Sequence, residues 1–223
     1  MFTTQARALS IPYWEGSFEH PFIKELASGK LAHEKFRYYL IQDRYYLEHF
    51  SKIHFMLAEK TSDKQIKELM LSAAKHLEEG ELAIRQQFFE ELAITPREIE
   101  ETVIAPTAYH YVSHMYRQLL TGTVQSVLAG LLPCPWLYQD IGEKLIEAGS
   151  PNGLYQRWIE TYSNDEGAEE IVKQCTILNQ LYETSNEVEQ ADMLEAFLIS
   201  AKMEYAFWDM SYNLEVWRGM SND

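Results

Sequence analysis

Cys134 lies between two prolines, in the run Pro133-Cys134-Pro135 that joins two amphipathic segments. Proline is favoured at the first position of a helix, and it disfavours helical backbone at the residue before it. The run therefore predicts that Cys134 is the N-cap of the second segment, with amide N–H groups and the positive end of the helix dipole beside its sulfur. Such a position favours the thiolate, which is the nucleophilic form of cysteine. Spacing alone leaves open a second interpretation, a small buried side chain at a kink.

A second candidate for chemistry is Asp43, which shares a predicted helix face with Tyr39 and Tyr46 at i, i+4, i+7 spacing. A carboxylate between two tyrosines on a largely apolar helix needs a partner if it is buried. We therefore expect Asp43 either to bind a ligand or to form an ordinary ion pair, for example with Arg44 or Lys35. The spacing does not decide between these alternatives.

The last predicted helix offers a similar feature, because Glu204 lies on adjoining face positions with Phe207, Trp208 and Ser211. A carboxyl group packed among aromatic side chains can donate or relay a proton near neutrality. Taken alone, however, Glu204 is better explained as a solvated side chain, since the chain carries 34 acidic residues.

The seven histidines do not follow the spacing of a known metal site. None has a glutamate three residues before it, as di-iron bundles require, and no His-Glu-x-x-His motif occurs. His110 and His114 have i, i+4 spacing and could hold one ion, but a pair of this kind more often serves packing or lies on the surface. No histidine stands out as a haem ligand. We expect no metal and no cofactor.

Composition limits the partners and the compartment. A net charge of −15 disfavours nucleic acid and anionic membranes as partners but is compatible with a cationic small molecule. No apolar stretch approaches the roughly 18 residues of a membrane span, and the first residues do not form a signal peptide. The two cysteines form no disulfide framework, and Cys175 is expected to fill the core of a plain amphipathic helix. We expect a cytoplasmic protein.

These side chains must be positioned by helices, since nearly every segment has helical periodicity and none has the period-2 alternation of a strand. Capping boxes at Ser62-x-x-Gln65 and Thr184-x-x-Glu187, with a proline start at Thr95-Pro96, mark three helix beginnings. Helices are predicted over 32–60, 62–92, from 95, and over 106–121, 123–132, 154–162, 167–183 and about 187–218. The pattern predicts one all-α domain over residues 1–223, folded as a helical bundle.

Three segments, in this order and spacing, resemble the TenA family, also called thiaminase II or aminopyrimidine aminohydrolase. The first begins at His20-Pro21-Phe22, the second is Tyr39-Leu40-Ile41-Gln42-Asp43, and the third is Leu132-Pro133-Cys134-Pro135-Trp136 with Tyr138. The resemblance covers essentially the whole chain. Because it contains Cys134, the chain resembles the cysteine-bearing branch of that family.

The resemblance implies a bundle like that of haem oxygenase, without the haem, assembled as a homotetramer. It also implies hydrolysis of 4-amino-5-aminomethyl-2-methylpyrimidine to the hydroxymethylpyrimidine and ammonia, which salvages degraded thiamin, or cleavage of thiamin into pyrimidine and thiazole. A pyrimidine-binding or regulatory protein without turnover is the alternative on the same fold.

The resemblance also implies residue roles. Cys134 matches the nucleophile that adds to the pyrimidine ring, and Glu204 matches the glutamate that exchanges a proton with a ring nitrogen. Asp43 matches the carboxylate that binds the 4-amino group and the adjacent ring nitrogen. Aromatic contacts to the pyrimidine are implied for Tyr46, Tyr111, Tyr138 and Phe207, and a hydrogen bond near the glutamate for Tyr162.

Overall fold

A computed structural model describes residues 1–78 and 82–219 of the chain. Over those residues the regular secondary structure is helical and no strand occurs, so the predicted all-α class is confirmed. Within the same ranges, each helix falls short of the length or the apolar character needed to cross a bilayer. In chain order the helices are α1 (Phe2–Glu19), α2 (Pro21–Ala27), α3 (His33–Lys60), α4 (Lys64–His76), α5 (Leu82–Glu91), α6 (Pro96–Glu101), α7 (Pro106–Thr121), α8 (Val124–Leu131), α9 (Pro133–Ile146), α10 (Gly153–Thr161), α11 (Asp165–Thr184) and α12 (Glu187–Asn213).

The chain forms two compact units, each assembled from two separate stretches of sequence. The first comprises Met1–Leu31 and Arg117–Trp208, and the second comprises Ala32–Tyr116 and Asp209–Asp223. In the first unit α11 packs against α1, α8 and α9, and α10 packs against α2 and α9. In the second unit α3 packs against α4 and α5. The single domain expected over residues 1–223 stays a prediction.

Helix α3 confirms the helix predicted over 32–60 and forms the centre of the second unit. Its apolar side chains recur at helical spacing and are buried, among them Phe36, Leu40, Leu47, Ile53 and Leu57. Because α3 buries one long face against α4 and α5, the polar residues of that face are carried into the interior with it.

Two predicted helix starts in the second unit have different outcomes. Thr95 caps α6 as predicted, accepting a hydrogen bond from the backbone N–H of Glu98 at 3.1 Å. The capping box at Ser62 is wrong, because Asp63 caps α4 by accepting from the N–H groups of Gln65 and Ile66. Helices α4 and α5 both lie within the helix predicted over 62–92, and residues 79–81 of that prediction lie outside the described residues.

The last helix begins at Glu187, as predicted, but its capping residue is Asn186 rather than Thr184. Asn186 accepts hydrogen bonds from the N–H groups of Val188 and Glu189, and the Glu189 carboxylate accepts one from the N–H of Asn186. The helix also ends earlier than predicted, at Asn213, where Leu214 adopts a left-handed backbone with φ of 51°.

The start of α9 corrects the prediction for Cys134. Leu132 has helical backbone angles, Pro133 is the first residue of α9, and Cys134 lies inside the first turn rather than at the N-cap. The first helical hydrogen bond runs from the N–H of Trp136 to the carbonyl of Leu132 at 3.3 Å. Prolines are tolerated in this turn because first-turn amides have no intrahelical acceptor. Their missing N–H groups leave fewer amide donors near the sulfur than predicted.

Helices α9 and α10 approach closely at Gly142. A β-carbon at this position would overlap the carbonyl group of Tyr162 and lie 3.0 Å from the nitrogen of Ser163. Both obstacles are backbone atoms, which cannot rotate away as a flexible side chain could. Glycine at position 142 therefore allows α9 to pack against the end of α10, where the Tyr162 side chain begins.

We expect Gly142→Ala to destabilise the protein by about 1–3 kcal/mol, because the added methyl group forces the two helices apart. Urea denaturation followed by circular dichroism measures this change. Gly153→Ala is the matched control, since a β-carbon there meets only the Arg157 guanidinium at 3.7 Å. Equal stability of the two variants would show that the close approach at Gly142 does not constrain the fold.

Candidate active site

The register between the α8–α9 segment and α12 is fixed by two contacts within the first unit. A β-carbon on Gly130 of α8 would lie 3.7 Å from Ser200 Oγ of α12. Eight residues further along both helices, the rings of Tyr138 and Trp208 lie 5.2 Å apart. Since the residue number rises on both helices, the two run parallel at this contact.

In sequence, Cys134 and Glu204 lie midway between these two contacts. Each lies four residues after the first contact and four before the second, and side chains four residues apart share a helix face. Glu204 is 2% exposed, whereas Cys134 is partly exposed. The interpretation of Glu204 as a solvated side chain is therefore wrong, and the carboxyl group lies inside the unit on the same face as Ser200 and Trp208.

Aromatic rings from α12 and from α10 with its C-cap surround Tyr138. Its ring centroid lies 4.8 Å from that of Tyr162, 5.2 Å from Trp208 and 6.0 Å from Trp158. Phe22 of α2 packs against the other side of Trp208 at 5.5 Å. The structure thus brings together Tyr138 and Tyr162, which were both predicted as site residues.

Phe207 is also buried, at 2% exposure, beside Trp208 on α12. Trp158 was not predicted, although it is fully buried and touches both Tyr138 and Tyr162. A sequence signal for it exists in hindsight, since Trp158 precedes Tyr162 by four residues and so lies one helical turn away.

The residues of the first unit have a definite chemical character. Cys134 and Glu204 belong to helices α9 and α12, which both contribute rings to the aromatic cluster. Aromatic side chains pack against the face or edge of a planar ligand. A thiolate can attack an electron-poor ring while a nearby carboxyl group supplies or takes a proton. The arrangement suits covalent chemistry on a flat heteroaromatic molecule.

In the second unit, Asp43 is buried at 3% exposure and paired with Arg85 of α5, itself 1% exposed. The Nε and Nη2 groups of Arg85 both donate to Oδ2 of Asp43. Burial raises the pKa of the Asp43 carboxyl, while the Arg85 guanidinium and a hydrogen bond from Tyr39 oppose that rise. Asp43 therefore has an ion-pair partner and keeps further acceptor capacity.

Neither cation near Asp43 in sequence is its partner. Arg44 pairs with Glu48 at 2.9 Å on a more exposed face, and Lys35 lies 3.1 Å from the centre of the Tyr212 ring. The partner, Arg85, is 42 residues away along the chain. Its sequence signal is the spacing, since Phe88 follows Arg85 by three residues and places the arginine on a helix face with an aromatic residue.

Tyr46 and Tyr111 were predicted as aromatic site residues, and the second unit brings them together. Their ring centroids lie 4.8 Å apart, and Tyr46 also stacks on Phe50 at 5.3 Å. The buried amide of Gln42 anchors the loop before α7, donating to the carbonyl of Val103 at 3.0 Å. Because this loop leads into α7, its anchoring helps to position Tyr111 against Tyr46.

The described residues contain no group of three or more His, Cys, Asp and Glu side chains that could hold a metal ion. His110 is exposed, with its ring 6.2 Å from that of Trp217.

Cys175 lies on α11 and is half-buried rather than in the core. Burial, with a smaller contribution from Asp140, raises the pKa of the Cys175 thiol to about 11.

Comparison with known proteins extends these observations. Residues 10–214 match the model of the TENA/THI-4/PQQC family. A curated relative from Bacillus subtilis (strain 168), named aminopyrimidine aminohydrolase, is 40% identical over 216 residues, which cover 97% of this chain and 92% of the relative.

Solved structures give the same picture. A TenA homologue from P. horikoshii OT3 superposes with a TM-score of 0.86 at 26% identity, covering 96% of this chain and 99% of that one. A domain with a haem oxygenase-like fold from Shewanella denitrificans OS217 gives a TM-score of 0.74 at 12% identity, over 95% of this chain and 92% of that one. The second likeness concerns the fold alone, and it confirms the predicted resemblance to the haem oxygenase bundle.

The two cysteines should differ in reactivity toward iodoacetamide. At about pH 8, a thiol with a pKa near 11 is ionised in only about one molecule in a thousand, so Cys175 should react slowly. Cys134, in the first turn of α9, should be labelled first. Peptide mass spectrometry over a time course checks this, and rapid labelling that persists in Cys134→Ser but disappears in Cys175→Ser would reverse the assignment.

Proposed function

This chain belongs to the TENA/THI-4/PQQC family, and we propose that it hydrolyses 4-amino-5-aminomethyl-2-methylpyrimidine to the hydroxymethylpyrimidine and ammonia. It is accordingly a hydrolase that acts on a C–N bond. The bond lies outside the ring, at the methylene carbon, so the enzyme must make an unactivated amine leave from that carbon. The proposal concerns how the residues of this chain accomplish that step.

One observation supports the proposal: Cys134 and Glu204 each lie four residues after the Gly130–Ser200 contact and four before the Tyr138–Trp208 contact. A nucleophile adding to an aromatic ring puts negative charge on the ring nitrogens. A proton donor on the facing helix can neutralise that charge as it develops. Neither residue alone would supply both requirements.

In the proposed reaction the Cys134 thiolate forms a C–S bond with a ring carbon, and Glu204 gives a proton to a ring nitrogen. The ring is no longer aromatic, and its electrons expel the amine, which leaves as ammonia after taking up a proton. Water then adds to the exocyclic methylene carbon. Finally the C–S bond breaks, Glu204 recovers its proton and the aromatic hydroxymethylpyrimidine leaves.

The remaining residues bind and orient the ring in this proposal. Asp43 accepts a hydrogen bond from the 4-amino group and faces the adjacent ring nitrogen. Tyr162 forms a hydrogen bond near Glu204. Packing against the pyrimidine is assigned to Tyr46, Tyr111, Tyr138 and Phe207, all of which are buried.

The same chemistry extends in principle to thiamin. There the thiazolium nitrogen is attached to the corresponding methylene carbon and leaves as neutral thiazole. Both reactions depend on Cys134 as a thiolate, which a reducing compartment preserves. The proposal therefore includes a cytoplasmic location and thiamin as a second substrate.

Replacing Cys134 with serine tests the proposed function directly. We expect ammonia release from the aminomethylpyrimidine to fall by at least ~10³-fold in Cys134→Ser, because the hydroxyl is a much poorer nucleophile. Cys175→Ser is the matched control and should retain the wild-type rate. Near-normal turnover by Cys134→Ser would remove the covalent step. A wild-type protein that binds the pyrimidine without releasing ammonia would instead support a binding or regulatory role.

We further propose that the chain assembles as a homotetramer. Val103, Tyr109 and Trp217 of the second unit are 53%, 50% and 37% exposed, and the rings of Tyr109 and Trp217 lie 6.1 Å apart. Exposed apolar groups of this kind mark interaction surfaces. Sedimentation equilibrium should give four times the mass of the 26.1 kDa chain, and Tyr109→Glu should lower that mass. A single-chain mass for the wild type would contradict the proposal.

A further inference from the structure

We propose that Glu215 is a positioning residue for Tyr111, because its carboxylate holds the first turn of α7 and so sets where the Tyr111 ring lies against Tyr46. The inference rests on the proposed function for the role of Tyr111, which is to pack against the pyrimidine. What it adds is a residue in the segment after α12, far from Tyr111 in sequence, on which binding of the ligand depends.

The first turn of α7 has no capping side chain at the usual position. Its first hydrogen bond runs from the N–H of Tyr109 to the carbonyl of Ala105 at 3.0 Å, so Ala105 is the N-cap. Serine, threonine, asparagine and aspartate are favoured there because their side-chain oxygens accept from first-turn amides, which the methyl group of alanine cannot do. Pro106 follows and has no N–H. The amide of Thr107 is therefore the first in α7 that needs an acceptor from outside the helix.

Glu215 supplies that acceptor. Its Oε2 accepts a hydrogen bond from the Thr107 N–H at 3.0 Å, across 108 positions of the chain. A carboxylate beside a helix N-terminus also interacts favourably with the positive end of the helix dipole. Glu215 thus caps α7 much as Asp63 caps α4, where the aspartate accepts from the amides of Gln65 and Ile66. The cap of α7 differs in coming from a distant segment.

The segment that carries Glu215 is not held in place by burial. Residues 214–219 are all half-buried or exposed, and a groove of about 670 Å³ lies between this segment, α3 and α6. The left-handed backbone of Leu214 turns the chain at the end of α12. The N–H of Glu215 then donates to the carbonyl of Met210 at 3.0 Å. Hydrogen bonds, rather than close packing, therefore fix the position of the carboxylate.

Two side-chain hydrogen bonds join the segment to the rest of the second unit. The Tyr38 hydroxyl of α3 donates to the backbone carbonyl of Glu215. The indole N–H of Trp217 donates to the carbonyl of Ile104, in the loop before α7, at 2.8 Å. The segment is thus tied both to α3 and to the chain that leads into α7, on either side of the Glu215 carboxylate.

One face of α3 connects these contacts to the aromatic pair. Tyr38, Gln42 and Tyr46 follow one another at four-residue spacing, so they occupy successive turns of that face. Tyr38 holds the backbone of Glu215. Gln42 accepts a hydrogen bond from the loop before α7 at 2.9 Å. Tyr46 packs against Tyr111 with ring centroids 4.8 Å apart. The face therefore sets the position of α7 at its first turn and at the Tyr111 ring together.

Tyr111 is close enough to the cap to depend on it. It follows Thr107 by four residues and lies one turn further along the same helix face. Helix ends without an acceptor for their first amides fray, and fraying of one turn reaches Tyr111. The Tyr111 ring is 1% exposed in the capped helix. Glu215 therefore acts on the ligand through α7 and needs no contact with the ligand itself.

Binding of the reaction product measures this effect without turnover. The probe is 4-amino-5-hydroxymethyl-2-methylpyrimidine, titrated by calorimetry into wild type, Glu215→Ala and Glu215→Gln. We expect Glu215→Ala to bind it about 3–10-fold more weakly, as loss of one helix cap allows. Glu215→Gln keeps an acceptor oxygen for the Thr107 N–H and should stay within about 2-fold of wild type. Wild-type affinity in a folded Glu215→Ala, or an equal loss in Glu215→Gln, overturns the proposal.

Asp63→Ala is the matched control. It removes a carboxylate cap from α4 of the same unit, a helix to which no contact with the pyrimidine is assigned. Its stability toward urea should fall as in Glu215→Ala, while its affinity for the probe should match wild type. A loss of affinity in Asp63→Ala as large as that in Glu215→Ala would reduce the Glu215 effect to general destabilisation and overturn the proposal.

A double variant tests whether Glu215 acts through Tyr111. Residues that serve one contact are not additive, so Glu215→Ala should weaken binding by less than ~2-fold when Tyr111→Leu is already present. If the two losses of affinity multiply in full, Glu215 acts on some other part of the site and the proposal is wrong.

Hydrogen exchange in the ligand-free protein tests the local step. Peptides covering residues 105–111 should exchange at least ~3-fold faster in Glu215→Ala and at the wild-type rate in Asp63→Ala. If Glu215→Ala does not fold, Tyr38→Phe takes its place, because it removes only the hydroxyl that donates to the Glu215 carbonyl. Unchanged exchange and unchanged affinity in Tyr38→Phe would then overturn the proposal.

This inference and the proposed function fail separately. A wild-type protein that binds the probe with Glu215-dependent affinity but releases no ammonia would leave the inference standing while hydrolysis fails. Ammonia release by wild type, with faster exchange but unchanged affinity in Glu215→Ala, would do the reverse.

Discussion

The parallel register of α8–α9 with α12 determines which side chains share a turn with Cys134. Ala196 and Ser200 lie beside Gly130, and the rings of Tyr138 and Trp208 are in contact one turn on either side of the proposed pair. A shift of one residue would rotate each side chain by about 100° around its helix and would separate the proposed partners. The aromatic cluster around Tyr138 stabilises the same register, because its rings come from α9, α10 and α12.

The two carboxyl groups with proposed roles have different surroundings, and the two proposed roles differ accordingly. Asp43 is buried in an ion pair with Arg85, which opposes the rise in its pKa that burial causes. Glu204 lies on a helix face with Phe207 and Trp208, where a carboxyl group can exchange a proton during a reaction. Environments of this kind allow one protein to use one carboxyl group for binding and another for proton transfer.

Local sequence patterns predicted the parts of the fold that depend on neighbouring residues. The helix over 32–60, the cap at Thr95 and the all-α class follow from periodicity and capping. The cap at Ser62 was wrong because Asp63, next to it, competes for the same amides. Arg85 was missed because its partner is 42 residues away, a contact that only the packing of α5 on α3 creates. Family resemblance, rather than periodicity, supplied the aromatic site residues.

The most direct test of the central claim is whether Cys134 and Glu204 act as one unit. kcat/KM for the aminomethylpyrimidine should be compared in wild type, Cys134→Ser, Glu204→Gln and the double variant. Groups that serve a single step are strongly non-additive, and a lost general acid lowers the rate by about 10²–10⁴-fold. The account predicts that adding Glu204→Gln to Cys134→Ser causes little further loss. If the double variant instead loses kcat/KM by the product of the two single losses, the claim is contradicted and the residues have independent roles.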